Sequence, residues 1–534
     1  MALRHAQKLH SAAGRCSFHA KCPRVRYSLS RVSASSTLAV PANSDHGVVH
    51  SQSHQPALLA QALATSAGIE DILTSKSWTE VRSLWTHHKD HLRTEDLAAT
   101  WVRLAKVSKE PTVRASPELQ KFVDILACAT IDRIQQFSIS SLCSIMWASS
   151  KLKKGLGHSG MFKSFLKAWA AEMEVHLDHL DLEQSRKVMA AITRVNYQPS
   201  APWKMKMEAT LTANLATCAC PKTLACCLVS AASLGFSLHP APAFREAVGA
   251  ACGAAFAGAA GAPPPAAARR IHGPVDVARC ACSTLWAAAV LGVPLPGSTV
   301  QRMLTHVTFV GVGGLASGVL ASASSPFPSL ESVESTLEGA CFASEGGPGL
   351  AALDFAQVYW ALSKVAYKPS EGEMGALLDA TAAALPTAPP VLLATILWAL
   401  ADLEVVPSET WLQRAYSSFE RQLDAASAEP LQALLHAAAT LQLPPPQWSS
   451  KLMDRLQDVD LRVLPDGNIV DLVMSMHALR MHPPQQLAVT LQQECVKRLS
   501  QRGASPEAAE AGCRIDGADE AQQPQQKAAG GASA

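Results

Sequence analysis

Several groups of residues in this chain have types that could do chemistry. Cys218, Cys220, Cys226 and Cys227, with Cys280 and Cys282, are numerous enough to suggest zinc. Their Cys-x-Cys and Cys-Cys spacings are not those of ribbons or knuckles, and small thiols in apolar runs are ordinary core residues. His87, His88 and His91 include an i, i+4 pair but lack the Glu that a helical metalloprotease motif places between its histidines. Gly311-Val-Gly313-Gly-Leu-Ala316, with Glu331 beyond it, imitates a dinucleotide fingerprint. That fingerprint works only where a strand feeds a helix in a βαβ unit, and no such pattern surrounds it. No nucleophile–base pair, phosphate loop or paired-carboxylate motif stands out. The chain is therefore read as a non-enzyme, with no catalytic residue, cofactor or metal. Lys106, Lys151, Arg194 and Lys364 differ from these groups, because they share one register of a repeat and carry charges suited to phosphates.

Four segments align without gaps: Trp360-Ala-Leu-Ser-Lys-Val-Ala-Tyr-Lys-Pro369, Trp398 to Pro407, His436 to Pro445 and Met474 to Pro483. Each proline follows the last by 38 residues. Looser units are anchored at Val102, Trp147, Ala190, Val229 and Trp286, which makes nine, and a degenerate unit is expected around 305–345. Each unit reads as two helices. The anchor helix has apolar residues at three- and four-residue spacing and ends before its proline, since the residue preceding Pro disfavours the helical region. The second helix starts just beyond, with Ser408 as a cap in one unit and Ser370 with Glu373 at capping-box spacing in another. One such hairpin cannot bury both its faces, whereas stacked neighbours can. The fold expected is all-α: an α-solenoid of stacked helix–turn–helix repeats of about 38 residues.

The position four after the anchor holds Lys106, Lys151, Arg194 and Lys364 in four units and Asp402, Thr440 and Ala478 in the last three. It lies at the border of the buried face, about 40° from the anchor on a 3.6-residue helix, so stacking would line the charges up. Lysines that merely close helix ends, where their charge suits the dipole, are the plainer explanation. The anchor tryptophans Trp147, Trp286, Trp360 and Trp398 are expected in the core, because His436 and Met474 replace them without breaking the pattern.

A helical-pair repeat of this length, with a Trp-Ala-Leu core and the turn Pro444-Pro445-Pro446-Gln447-Trp448, resembles the octotricopeptide repeat family. The family usually has Glu where Gln447 stands, and the other turns are partial. The resemblance covers roughly residues 70–500 and is strongest from 350 to 500. It implies a factor that binds single-stranded organellar RNA and supports maturation, stability or translation of a chloroplast transcript. Protein partners in a ribonucleoprotein complex fit the same picture, and Lys106, Lys151, Arg194 and Lys364 would be the RNA contacts. Periodicity alone leaves a second reading open, a solenoid scaffold that binds proteins.

Composition sets the frame. Hydrophobic residues make up 48% and aromatic residues 5%, so the apolar content is largely Ala and Leu, which favours close-packed helices over sheet. Residues 1–44 hold seven Lys or Arg, eight Ser and no acid. That composition describes an organellar transit peptide, chloroplast with mitochondrion as the alternative. The remainder has 39 basic and 44 acidic residues, so a nucleic-acid partner would need a local stripe of charge. No apolar run is long and bulky enough to span a membrane. The organisation expected is a transit peptide at 1–44, a linker at 45–69, repeats at 70–246, an Ala/Gly/Pro-rich insertion at 247–270, repeats at 271–502 and a disordered tail at 503–534.

Overall fold

A computed structural model describes residues 70–152, 159–236, 240–257, 273–313, 349–365 and 367–501. The segments read as transit peptide (1–44), linker (45–69) and tail (503–534) lie outside the described residues. All regular structure among the described residues is helical, and the repeats form an α-solenoid.

A leading helix, α1 (Trp78–His88), is followed by nine helix pairs. The first helices are α2 (Thr94–Val107), α4 (Ile139–Leu152), α6 (Leu182–Val195), α8 (Pro221–Ser233), α10 (Pro274–Val290), α12 (Ala352–Lys364), α14 (Pro390–Asp402), α16 (Ala428–Thr440) and α18 (Asp466–Ala478). The second helices are α3 (Pro117–Ile131), α5 (Gly160–His176), α7 (Ala201–Leu215), α9 (Pro242–Ala255), α11 (Gly297–Gly313), α13 (Glu371–Ala382), α15 (Glu409–Glu420), α17 (Ser449–Asp458) and α19 (Gln485–Gln501). The nine anchors fall one on each first helix. Each first helix packs on the next, from α2 through to α18, in one layer. Second helices pack on one another beside it, as in α3 on α5, α7 on α9 and α11 on α13.

Local chemistry delimits the helices. Pro369, Pro407, Pro445 and Pro483 all lie between the helices of a pair. Ser370 and Glu373 form the expected capping box: the Ser370 amide donates to Glu373 at 2.8 Å and the Glu373 amide to Ser370 Oγ at 3.3 Å. Ser408 caps α15 by accepting from the Trp411 amide. The first helices end in a left-handed residue at Asn196, Gly235, Gly292, Glu404, Gln442 and Arg480, the only positive-φ residues among those described. Behind each, the next amide reaches five residues back, as Val405 does to Leu400 O at 2.9 Å. This is the Schellman arrangement, which satisfies carbonyls that the helix end would otherwise orphan.

The pairs are closed by a recurring latch. A side chain at the end of the second helix donates to the carbonyl two residues before the first helix starts. Arg133 does so to Leu92 O at 2.7 Å, Asn214 to Leu180 O at 2.8 Å, Gln422 to Ala388 O at 2.9 Å and Arg498 to Leu464 O at 2.6 Å. The end of one helix therefore lies against the start of the other, which makes the pairs antiparallel.

The layers enclose a core whose large members sit mostly on second helices. Trp169 donates to Leu142 O at 3.0 Å and Trp411 to Leu378 O at 3.1 Å, and Trp448 stacks on Phe419 with centroids 6.0 Å apart. The Trp169 and Trp411 indoles thus bury area and keep their N–H paired.

Two expectations need correction. The insertion does not begin at 247: α9 continues to Ala255, because Phe244, Val248 and Cys252 recur at four-residue spacing and are buried. An Ala/Gly-rich stretch with such a stripe is still a helix. No degenerate unit is interposed around 305–345 either, since α10 packs directly on α12 and α11 on α13. Residues 305–313 belong to α11, and the rest of that stretch lies outside the described residues.

Candidate nucleic-acid interface

A first helix is covered on both sides by its layer neighbours and on a third by the second helices. One stripe is left open in most of them, although residues 224–232 of α8 and 281–288 of α10 are buried all round. In α14, Val391, Thr395, Trp398 and Asp402 are half-buried or exposed, and every other residue is buried. Their spacings of four, three and four residues keep them on one face of the helix. In α16 the same face carries Glu429, Ala433, His436 and Thr440; in α12 it carries Leu353, Trp360 and Lys364, while Gln357 at that register is buried.

Six anchors, Val102, Trp147, Trp360, Trp398, His436 and Met474, therefore mark the open face, which corrects the assignment of Trp147, Trp360 and Trp398 to the core, whereas the anchors Ala190, Val229 and Trp286 are buried. Trp147, Trp360 and Trp398 are half-buried, and Met474 is 53% exposed. Trp286 alone among the anchor tryptophans is buried, with 5% exposed. The physical reason is that a helix packed on three sides is apolar almost all round. Its hydrophobic period then fails to mark the open side.

Each of the four basic residues sits in the last turn of a first helix. Lys106 and Lys364 are exposed, while Lys151 and Arg194 are half-buried. Burial holds the Arg194 guanidinium below its ordinary pKa. Lys106, Lys151 and Arg194 stand on α2, α4 and α6, three successive helices of the layer. Lys364 is set apart from them, because α8 and α10 carry Ser233 and Val290 at that register.

Lys364 also has company. Its Nζ lies 3.4 Å from Asp402 Oδ2 and 4.3 Å from the centroid of the Trp398 ring, both on the next helix. Corresponding positions of adjacent first helices thus meet side by side.

Further cations escaped the sequence reading. Lys187 on α6 stands three before its anchor and Lys222 on α8 seven before its own; both are exposed. They lie on the open face by the same spacing, a signal that was available once anchors were read as surface. Glu183 tempers this group. It pairs with Arg186 at 2.5 Å and Lys187 at 3.7 Å, and Arg186 holds its carboxyl below the usual range.

The other chemical groups resolve as packing. Cys218, Cys226 and Cys227 are buried, and burial pushes all three thiols up. Among the described residues no group of three or more His, Cys, Asp or Glu is placed to hold a metal. His87 and His88 end α1, while His91 lies beyond the helix, so the i, i+4 pair shares no helical face. His306 to Gly313 are helical, where a dinucleotide fingerprint needs a strand. Gly311 instead allows a close approach, since a Cβ there would run into Ala380 of α13. No helix among the described residues is long and apolar enough to cross a membrane. No family model and no curated protein matches the chain.

Proposed function

We propose that the chain is an organellar, chloroplast-targeted protein that binds single-stranded RNA along the open face of its first helices and supports the expression of a particular transcript. The observation that carries this reading is the meeting of indoles and cations at a fixed register. Half-buried Trp147 and Trp360 are each followed four residues on by a cation, Lys151 and Lys364; Lys106 and Arg194 flank Lys151 on the neighbouring first helices, and Trp398 lies under Lys364. Aromatic faces take bases by stacking, and cations take the phosphates between them. A polar, solvated surface would need no tryptophan there. The octotricopeptide-like repeat and the acid-free residues 1–44 support the same reading.

The test is to purify the protein from the organelle and sequence the RNA fragment it protects. A discrete footprint is expected. Recovery of a stoichiometric protein with no RNA would replace this reading with the scaffold.

A further inference from the structure

Trp398 is half-buried on the open face of α14, and one side of its ring is covered by the neighbouring helix. The covering group is the Lys364 ammonium, 4.3 Å from the ring centroid and 3.4 Å from Asp402 Oδ2. Lys364 and Asp402 occupy the same register, each four residues after an anchor tryptophan, so the cation stands in the step between Trp360 and Trp398. In the N-terminal units the corresponding step sets a cation beside a cation, Lys106 then Lys151 then Arg194. Only the step from Lys364 to Asp402 supplies an acid from the next helix at that register. The Lys364 and Asp402 side chains are 36% and 42% exposed, so water and salt screen the pair and it parts easily.

An ammonium over an indole is held by the ring quadrupole, and a stacking base needs that same face. The two cannot occupy it together. A single-stranded nucleic acid brings both a base for the ring and a phosphate for the displaced ammonium. A duplex hides its base faces, and a neutral aromatic molecule brings no charge for the lysine. We propose that Lys364, Trp398 and Asp402 form a nucleotide subsite that is closed in the free protein. A base stacks on Trp398 as Lys364 turns to the adjoining phosphate, and Asp402 sets the affinity by holding the lysine back. This inference rests on the RNA reading above and adds to it the residue that restrains binding.

The full chain is titrated with a fluorescent pool of random-sequence single-stranded RNA, about 30 nucleotides long, enough to span several stacking positions. Asp402→Asn is expected to tighten binding roughly 3- to 10-fold and to steepen the dependence of log K on log salt by about 0.7, the increment for one phosphate contact on a single strand. Trp398→Met, which installs the residue that α18 carries at this register, should weaken binding by about 5-fold or more with the salt slope unchanged. In the Trp398→Met background the gain from Asp402→Asn should shrink to less than about 2-fold, because the two residues act on one step. The Asn variant leaves a half-exposed surface position in place, so it reads the proposal independently of any loss of folding in the Met variant. No gain with Asp402→Asn, or the same gain with and without Trp398, would overturn the subsite while leaving the RNA reading standing. A wild-type chain that binds none of the pool would overturn the RNA reading itself.

Discussion

From α12 onward the first helices start at Ala352, Pro390, Ala428 and Asp466, a constant step of 38 residues. From α2 to α10 they start at Thr94, Ile139, Leu182, Pro221 and Pro274, and no step is constant. Both sets nevertheless pack into the same layer, and α6, α8 and α10 of the first set end in the same left-handed turn as α14, α16 and α18 of the second. Connections absorb the difference, since lengthening a surface loop costs little. Contact between repeats demands the helix order and its apolar faces, and leaves the exact period free. The open faces also differ. The N-terminal units present Lys106, Lys151, Lys187, Arg194 and Lys222; the C-terminal ones present Trp360, Trp398 and His436, with Asp402 and Asp471 among them. One scaffold thus offers a cationic surface at one end and an aromatic, partly acidic one at the other.

The largest effects should separate core from open face in both halves. Trp169→Ala and Trp411→Ala each remove a buried indole and should cost about 3–5 kcal/mol of stability in urea unfolding. Trp398→Ala, on the open face, should cost about 1 kcal/mol, nearer the range of surface changes. Equal losses at all three would erase the distinction between the faces.

The contrast in charge should appear next. Replacing Lys106, Lys151 and Arg194 together with Ala should flatten the salt dependence of RNA binding by about 2, roughly 0.7 for each phosphate contact. Lys364→Ala alone should change that slope by less than about 0.7, because Asp402 already meets its charge. A triple variant with wild-type slope would make those side chains solvated helix ends.

Buried thiols distinguish the halves again. Burial pushes Cys143 and Cys252 up to about 12, while in the second half the described cysteine, Cys495, is half-buried. An unfolded thiol ionises near pH 8.5, so each of these two folded thiols contributes stability that is present below that pH and lost as pH rises toward 12. Unfolding midpoints should decline above about pH 8.5, by up to roughly 1.4 kcal/mol per thiol per pH unit. A Cys143→Ala/Cys252→Ala variant should show a shallower decline, and an unchanged one would assign the loss to other groups.

The smallest effects concern the turns. Gly292→Ala should cost about 1 kcal/mol, since φ there is 66° and an L side chain is strained in that region. Gln442→Gly, at the equivalent turn of the periodic half, should be neutral or gain a few tenths of a kcal/mol. A loss at Gln442 comparable to that at Gly292 would mean the glutamine side chain matters to its turn.

Much of this was legible in the residues. The four aligned prolines marked the turns, and Ser370 with Glu373 marked a helix start, because both rules act within a few residues. The Ala and Gly content of α9 masks the stripe of Phe244, Val248 and Cys252, so the sequence places a boundary at 247 that the helix does not have. Trp147, Trp360 and Trp398 escape a sequence reading for a different reason. Trp398 is flanked in sequence by Leu397 and Ala399, both buried, and only the neighbours on three sides reveal which residues face out.

The sequence by itself determined most of the helices and their pairing, since capping, proline placement and hydrophobic spacing are local properties that neighbouring residues impose. Tertiary structure decided which side of each first helix stays open, and so which tryptophans face outward. It also decided that Lys364 meets Asp402 and Trp398, because those contacts join residues a whole repeat apart and exist only once α12 and α14 stack.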